Sequence, residues 1–164
     1  MNIDQFKPAT VYTIYIASTP EELWQALTDS KFTTRYWWDT SVISDWKVGS
    51  PVSLVLKGKT TDVGEILIAD RPKRLSYSFH HILNEAALKE RPSRVTFVLE
   101  PFGHLVKLTL THEGFAGDSV VYDGISKGWP AILSSLKSLL ETGKPLEIPI
   151  GALFIDELDE VFHG

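Results

Sequence analysis

The sequence contains no cysteine and a single methionine. It can therefore have neither a disulfide framework nor a thiolate metal site, and its rigidity must come from packing. Long apolar runs are missing too. Nothing approaches the ~20 residues of a membrane-spanning helix, so no membrane insertion is expected. Positive charge is scarce, with 16 Lys and Arg against 21 Asp and Glu and a net charge of −5. Non-specific nucleic-acid affinity needs a basic face that neutralises phosphates, so no nucleic-acid partner is expected. The chain also lacks His-x-His, His-Glu-x-x-His, a phosphate loop and Gly-x-Gly-x-x-Gly. The common zinc and nucleotide signatures are thus absent, and neither a metal nor a cofactor is expected. The opening MNIDQFKPAT has no basic n-region and no apolar h-region, so the expected compartment is the cytoplasm.

What is present is ordinary globular composition. With 164 residues, 43% of them hydrophobic and 11% aromatic, the chain suits one domain with a well-buried core. Residues 10–17 are β-branched and aromatic and read as a strand. A helix follows, with Thr19 as cap, Pro20 at its first position and Glu22 completing a Thr-x-x-Glu capping box. A second short helix is expected over 30–36, and 37–50 reads as irregular. Next comes a meander of strands over 51–57, 60–69, 74–81, 93–99 and 104–112, in which alternate positions such as Val52, Leu54 and Leu56 turn inward. Gly58-Lys59 is expected to form a type II′ hairpin turn, and Glu100-Pro101-Phe102-Gly103 a type I turn. The segment 83–92 reads as a loop or a fragment of helix. From about residue 118 to 142, Val121, Ile125, Trp129, Ile132, Leu133, Leu136, Leu139 and Leu140 recur at helical spacing, with Gly143 and Pro145 as stop signals. Pro130 is expected to kink this helix beside Gly128 and Trp129.

The segments YIASTPEELWQALTD, SDWKVGSPV, DRPKRLSYSF, VTFVLEPFG, LTLTHEGF and GWPAILSSLKSLLETG follow one another in that order. Together they resemble the START-related SRPBCC superfamily, in the branch similar to the activator of heat-shock-protein-90 ATPase. The resemblance covers residues 8–143, and 144–164 form an acidic amphipathic tail. It departs from the family at Leu105 and Val106, where a threonine is common, and in continuing past the long helix. It implies an α+β helix-grip (Bet v 1-like) fold. In that fold two short helices follow the first strand, and a curved antiparallel sheet of about six strands wraps around the long C-terminal helix.

The resemblance also implies a cavity between helix and sheet that holds an apolar, aromatic or lipid-like small molecule. Trp37, Trp38 and Trp46 fall where the family's helix-to-strand connection borders the cavity mouth. They would either stack on a planar ligand or plug one end of the core. Trp129, beside the side-chain-free Gly128, either faces a ligand or packs the core. Tyr77, Phe79, His81, Phe97, Leu108, Leu110, Ile132 and Leu133 complete the expected lining. The inward polar groups Tyr77, His81, His112 and Tyr122 would orient a ligand or be satisfied by backbone. His80 and His81 are strand neighbours, so they face opposite ways and cannot readily share a metal ion. His112 next to Glu113 is a weak acid-base candidate, because imidazole titrates near neutrality and a carboxylate can orient it. The bland alternative is a hydrogen-bonded surface histidine. Arg71, Lys73 and Arg74 read as a solvated edge.

Three functions follow from this reading. The first is a cytoplasmic binding protein for an apolar or aromatic small molecule. The second is a polyketide-cyclase or hydrolase-type enzyme, with His112, Glu113, His81 and Tyr77 as acid-base candidates. The third is a co-chaperone that stimulates a heat-shock ATPase, placing the protein in the stress response. Up to Lys144 the chain has 16 basic and 16 acidic residues, so the excess lies in Glu147, Asp156, Glu157, Asp159 and Glu160. Leu153, Phe154, Leu158, Val161 and Phe162 form an amphipathic pattern there, expected as a terminal helix that docks on the domain or on a second copy in a homodimer.

Overall fold

The computed structural model describes residues 7–153. Its framework is a sheet of seven strands: β1 (Thr10–Ile16), β2 (Thr40–Ser44), β3 (Pro51–Leu56), β4 (Lys59–Asp70), β5 (Arg74–His81), β6 (Ser93–Phe102) and β7 (Leu105–Glu113). The order across the sheet is β1-β7-β6-β5-β4-β3-β2, with every neighbouring pair antiparallel. Helices α1 (Pro20–Thr28) and α2 (Ser30–Tyr36) follow β1, the short α3 (Glu85–Leu88) follows β5, and α4 (Val120–Thr142) is the long C-terminal helix. This is the expected α+β helix-grip architecture. Strand β2 is the addition, in a segment expected to be irregular. Val42 is its buried anchor, and Ser44 accepts from the Trp46 backbone N–H where the strand ends.

Turn chemistry differs from expectation at both tight hairpins. Between β3 and β4 the central residues are Lys57 and Gly58, both at positive φ (49° and 79°), the pattern of a type I′ turn. Gly103 and His104 form the β6–β7 turn, where only Gly103 has positive φ (59°), as a type II′ turn requires. Register decides both cases, because Leu56 pairs with Lys59 and Phe102 with Leu105.

The helix ends are held by specific acceptors. The Thr19 hydroxyl accepts from Glu22 N–H at 3.1 Å, but the Glu22 carboxylate takes the Ser18 hydroxyl at 2.6 Å, so only half of the capping box forms. At α4 the cap is Ser119, and the Glu90 carboxylate reaches across from behind α3 to accept the Val120 and Val121 N–H groups at 3.0 and 3.3 Å. A carboxylate there offsets unpaired amide donors and the positive end of the helix dipole. Pro130 lies within the single helical span of α4. The carbonyl of Ser126, deprived of its usual donor by the proline, faces the Tyr12 hydroxyl at 3.5 Å.

The sheet curves because its registers shift, between Leu54 and Val55 in β3 and between Ile66 and Ile68 in β4. Gly64 permits the tightest approach, since an added Cβ would sit 1.8 Å from the Ser78 carbonyl oxygen. The concave face holds one continuous core: Val95, Phe97, Leu108 and Leu110 from the sheet against Trp129, Ile132, Leu133, Leu136 and Leu139 of α4. After Gly143 the chain turns back. Ser135 bonds both the N–H and the carbonyl of Leu146, and a single 3-10 turn follows at Ile150–Ala152. The expected terminal helix, with Phe154, Leu158, Val161 and Phe162, and the dimer contact proposed for it fall outside the described residues. Gly64→Ala should lower stability by about 3 kcal/mol, because backbone must move to make room. Urea unfolding measures this, and a loss below half that figure would show that the β4–β5 approach is not tight.

Candidate functional site

Tryptophan, glycine and one aspartate–histidine contact define the hollow between α4 and the sheet. Gly124 and Gly128 stand one helical turn apart on α4, and both line it. Each glycine weakens the helix by about 1 kcal/mol relative to alanine. The absent side chains leave space beneath Ile125, Trp129 and Ile132, which also line the hollow. Its volume is about 150 Å³. Facing walls come from Leu54, Leu56 and Phe79 on the sheet, with Trp37, Trp38 and Thr40 at the junction of α2 and β2. Ala87, Val120 and Val121 close the α3 side, and Ile150 belongs to the returning C-terminal strap.

One patch of this wall is polar. Asp62 and His81 are directly paired across β4 and β5, and the His81 Nδ1 lies 2.9 Å from an Asp62 carboxylate oxygen. The other carboxylate oxygen accepts the Thr61 hydroxyl at 2.6 Å. Asp62 is buried. Burial, followed by the nearby negative charge of Asp62, raises the Tyr77 phenol above its ordinary pKa. Tyr36 is likewise raised, by burial first, and donates its hydroxyl to the Ala26 carbonyl at 2.7 Å.

At the mouth, Trp38 and Asp39 have φ of 44° and 59°, left-handed conformations that are rare for a bulky side chain. The Trp38 indole N–H donates to the Ile148 carbonyl at 2.8 Å, which ties the strap to the mouth. Trp37 meets Trp129 edge-on with ring centroids 5.2 Å apart.

His112 belongs to a different construction. It is fully buried, and the Trp129 indole N–H donates to its Nδ1 at 2.9 Å. Indole is only a donor, so Nδ1 is unprotonated and the proton sits on Nε2. That nitrogen lies 2.7 Å from the Ser93 hydroxyl, which in turn donates to the Phe79 carbonyl at 3.2 Å. Burial lowers the imidazole pKa to about 3. Glu113, the next residue on the strand, points the other way and pairs with Arg94. The sequence-expected His112–Glu113 pair is therefore not brought together, since β alternation sends the two side chains to opposite faces.

Of the expected lining residues, Trp37, Trp38, Phe79, His81, Trp129 and Ile132 border the hollow. Tyr77, Phe97, Leu108, Leu110 and Leu133 lie in the packed core instead, and Trp46 packs on the core elsewhere. Asp62, Thr61, the Gly124 turn and Ile150 were not anticipated. A signal for Asp62 exists, because counting back by twos from the inward Ile66 puts it on the same face. Among the described residues no cluster of His, Cys, Asp and Glu could hold a metal ion, and no helix is long and apolar enough to cross a membrane.

A curved antiparallel sheet gripping one long helix around a mostly apolar hollow defines a helix-grip domain of the SRPBCC superfamily. The chain belongs to the family described as Activator of Hsp90 ATPase homolog 1-like protein, whose profile matches residues 17–141. Among solved structures it is similar to protein MLL2253 of Mesorhizobium loti, with 25% identity, a TM-score of 0.70, and coverage of 81% of this chain and 96% of that one. The Aha1 dimer of Colwellia psychrerythraea is similar in fold at 21% identity and TM-score 0.69, covering 84% and 99%. So is PFC0360w, an HSP90 activator from Plasmodium falciparum, at 22% identity and TM-score 0.63, covering 75% and 88%. No curated protein matches the chain.

The neutral, buried His112 makes stability pH-dependent. Below pH 6.5 the unfolded chain protonates this imidazole and the folded one does not until about pH 3, so stability falls as pH falls. Between pH 6.5 and 5 the loss attributable to this residue should be about 2 kcal/mol. Denaturant titrations of wild type and His112→Gln measure it: the variant should show the shallower slope, and equal slopes would contradict the assignment.

Proposed function

We propose that this protein binds a small apolar molecule, about one aromatic ring in size, in the hollow between α4 and the sheet. The observation that carries the reading is the hollow itself: about 150 Å³ walled by indole, phenyl and aliphatic groups, with two glycines of α4 leaving it unfilled. An apolar cavity of about 150 Å³ accommodates benzene. A ligand seated there buries apolar surface that the open hollow otherwise leaves to water. The size favours single rings and short chains over sterols or multi-ring polyketides.

A second reading, stimulation of a heat-shock ATPase, draws support from the family description and from the Plasmodium falciparum neighbour. Homodimer formation draws its support from the Colwellia neighbour, a dimer in solution.

A thermal-shift screen tests the main reading. A single-ring ligand at about 100 times its dissociation constant should raise Tm by about 5 to 10 °C, and sterols should not. No shift with any ring-sized apolar compound would overturn it. Gly124→Ala should raise the stability of the unliganded protein by about 1 kcal/mol through helix propensity, while reducing the ligand-induced shift. An undiminished shift in that variant would remove Gly124 from the site.

A further inference from the structure

The apolar hollow contains one feature that packing does not explain. Asp62 is a carboxylate only 6% exposed, set in the wall beside His81 and Thr61. A buried carboxylate hydrogen-bonded to an imidazole adds little to stability, because its desolvation offsets most of the attraction, and apolar residues of similar volume often do as well. Two hydrogen bonds reach the carboxylate, from the Thr61 hydroxyl at 2.6 Å and from the His81 ring at 2.9 Å, one on each oxygen. An ionised carboxylate has about four acceptor positions. It is thus an acceptor-rich group on the surface of a hollow whose other walls are mainly aromatic and aliphatic.

We propose that the hollow selects a single-ring phenol, its ring against Trp37, Trp129 and Ile132 and its hydroxyl donating to the Asp62 carboxylate. This inference rests on the binding reading above and names the chemistry of the ligand. The acidic O–H of a phenol makes the stronger, charge-assisted kind of hydrogen bond to a carboxylate. Its ring is the size the volume admits, and its flat faces and edges suit indole walls. An ammonium group would also donate, but it would have to shed its hydration in an apolar hollow. His81 then acts as a positioning residue, holding the carboxylate through Nδ1 while Thr61 fixes the opposite oxygen.

Calorimetric titration of the wild-type protein with phenol, toluene and anisole tests the idea. The three share a ring and differ in the donor, since toluene has no oxygen and anisole has oxygen without its proton. Phenol should bind about ten- to a hundred-fold more tightly than either, the range for a hydrogen bond to a charged group. Asp62→Asn should bind toluene as the wild type does and lose the preference for phenol. If the wild type binds all three alike, the inference is overturned while the cavity reading stands. If it binds none, both fall. A phenol preference that persists in Asp62→Asn would place the hydroxyl elsewhere and also overturn the assignment, and the wild-type series decides even if that variant does not fold.

Discussion

The hydrogen-bonded chain from the Trp129 indole through His112 and Ser93 to the Phe79 carbonyl sets the depth at which α4 lies on the sheet. It joins the helix to β5, β6 and β7 inside an apolar core, where an unmade bond would leave a buried polar group unsatisfied at a cost of about 1 to 3 kcal/mol. Trp129 cannot sink further without losing that bond. It cannot rise without breaking its edge contacts with Trp37 and Phe97, at 5.2 and 6.0 Å. With the helix held at this depth, the neighbouring Gly128 and Gly124 line open volume instead of collapsing onto the sheet. The cavity is a consequence of that pin. His112 is accordingly a structural group whose proton is committed to Ser93, and the chemistry of the hollow lies with Asp62 and His81.

The mouth is built with strain and closed with a strap. Two consecutive left-handed residues, Trp38 and Asp39, turn the chain from α2 into β2, at a local cost of order 1 to 3 kcal/mol each. This conformation places the Trp38 indole under the Ile148 carbonyl, and Ile150 then contributes to the wall. Residues just beyond the family's matched span therefore help to enclose the hollow.

Much of the fold is legible in the pattern of residues. The every-second-residue recurrence of Val95, Phe97 and Leu99, and the helical spacing from Val121 to Leu140, place the sheet and its long helix, and six ordered segments name the superfamily. The short strand β2 is not legible, because the inward residues of Thr40–Ser44 include only one apolar anchor, Val42, beside the polar Thr40, and the segment owes its strand form to pairing with β3. Turn types depend on register, so a one-residue difference exchanges Gly58-Lys59 for Lys57-Gly58. The site is legible in part. Trp37, Trp38, Phe79, His81, Trp129 and Ile132 follow from fold position, whereas Tyr77, Phe97, Leu108, Leu110 and Leu133 point inward equally well and meet the core. Periodicity separates inside from outside but not filled from hollow. Asp62 is reached by alternation from Ile66, but its pairing with His81 emerges only when β4 and β5 are aligned, and Ile150 only when the strap is seen to return.

The central claim is that a ring-sized ligand sits between α4 and the sheet. Intermolecular nuclear Overhauser effects between isotope-labelled protein and bound toluene test it most directly. The account predicts contacts from the ligand ring to Ile125, Trp129 and Ile132, which border the hollow. Contacts confined to the exposed surface pair of Tyr15 and Phe102 would contradict it.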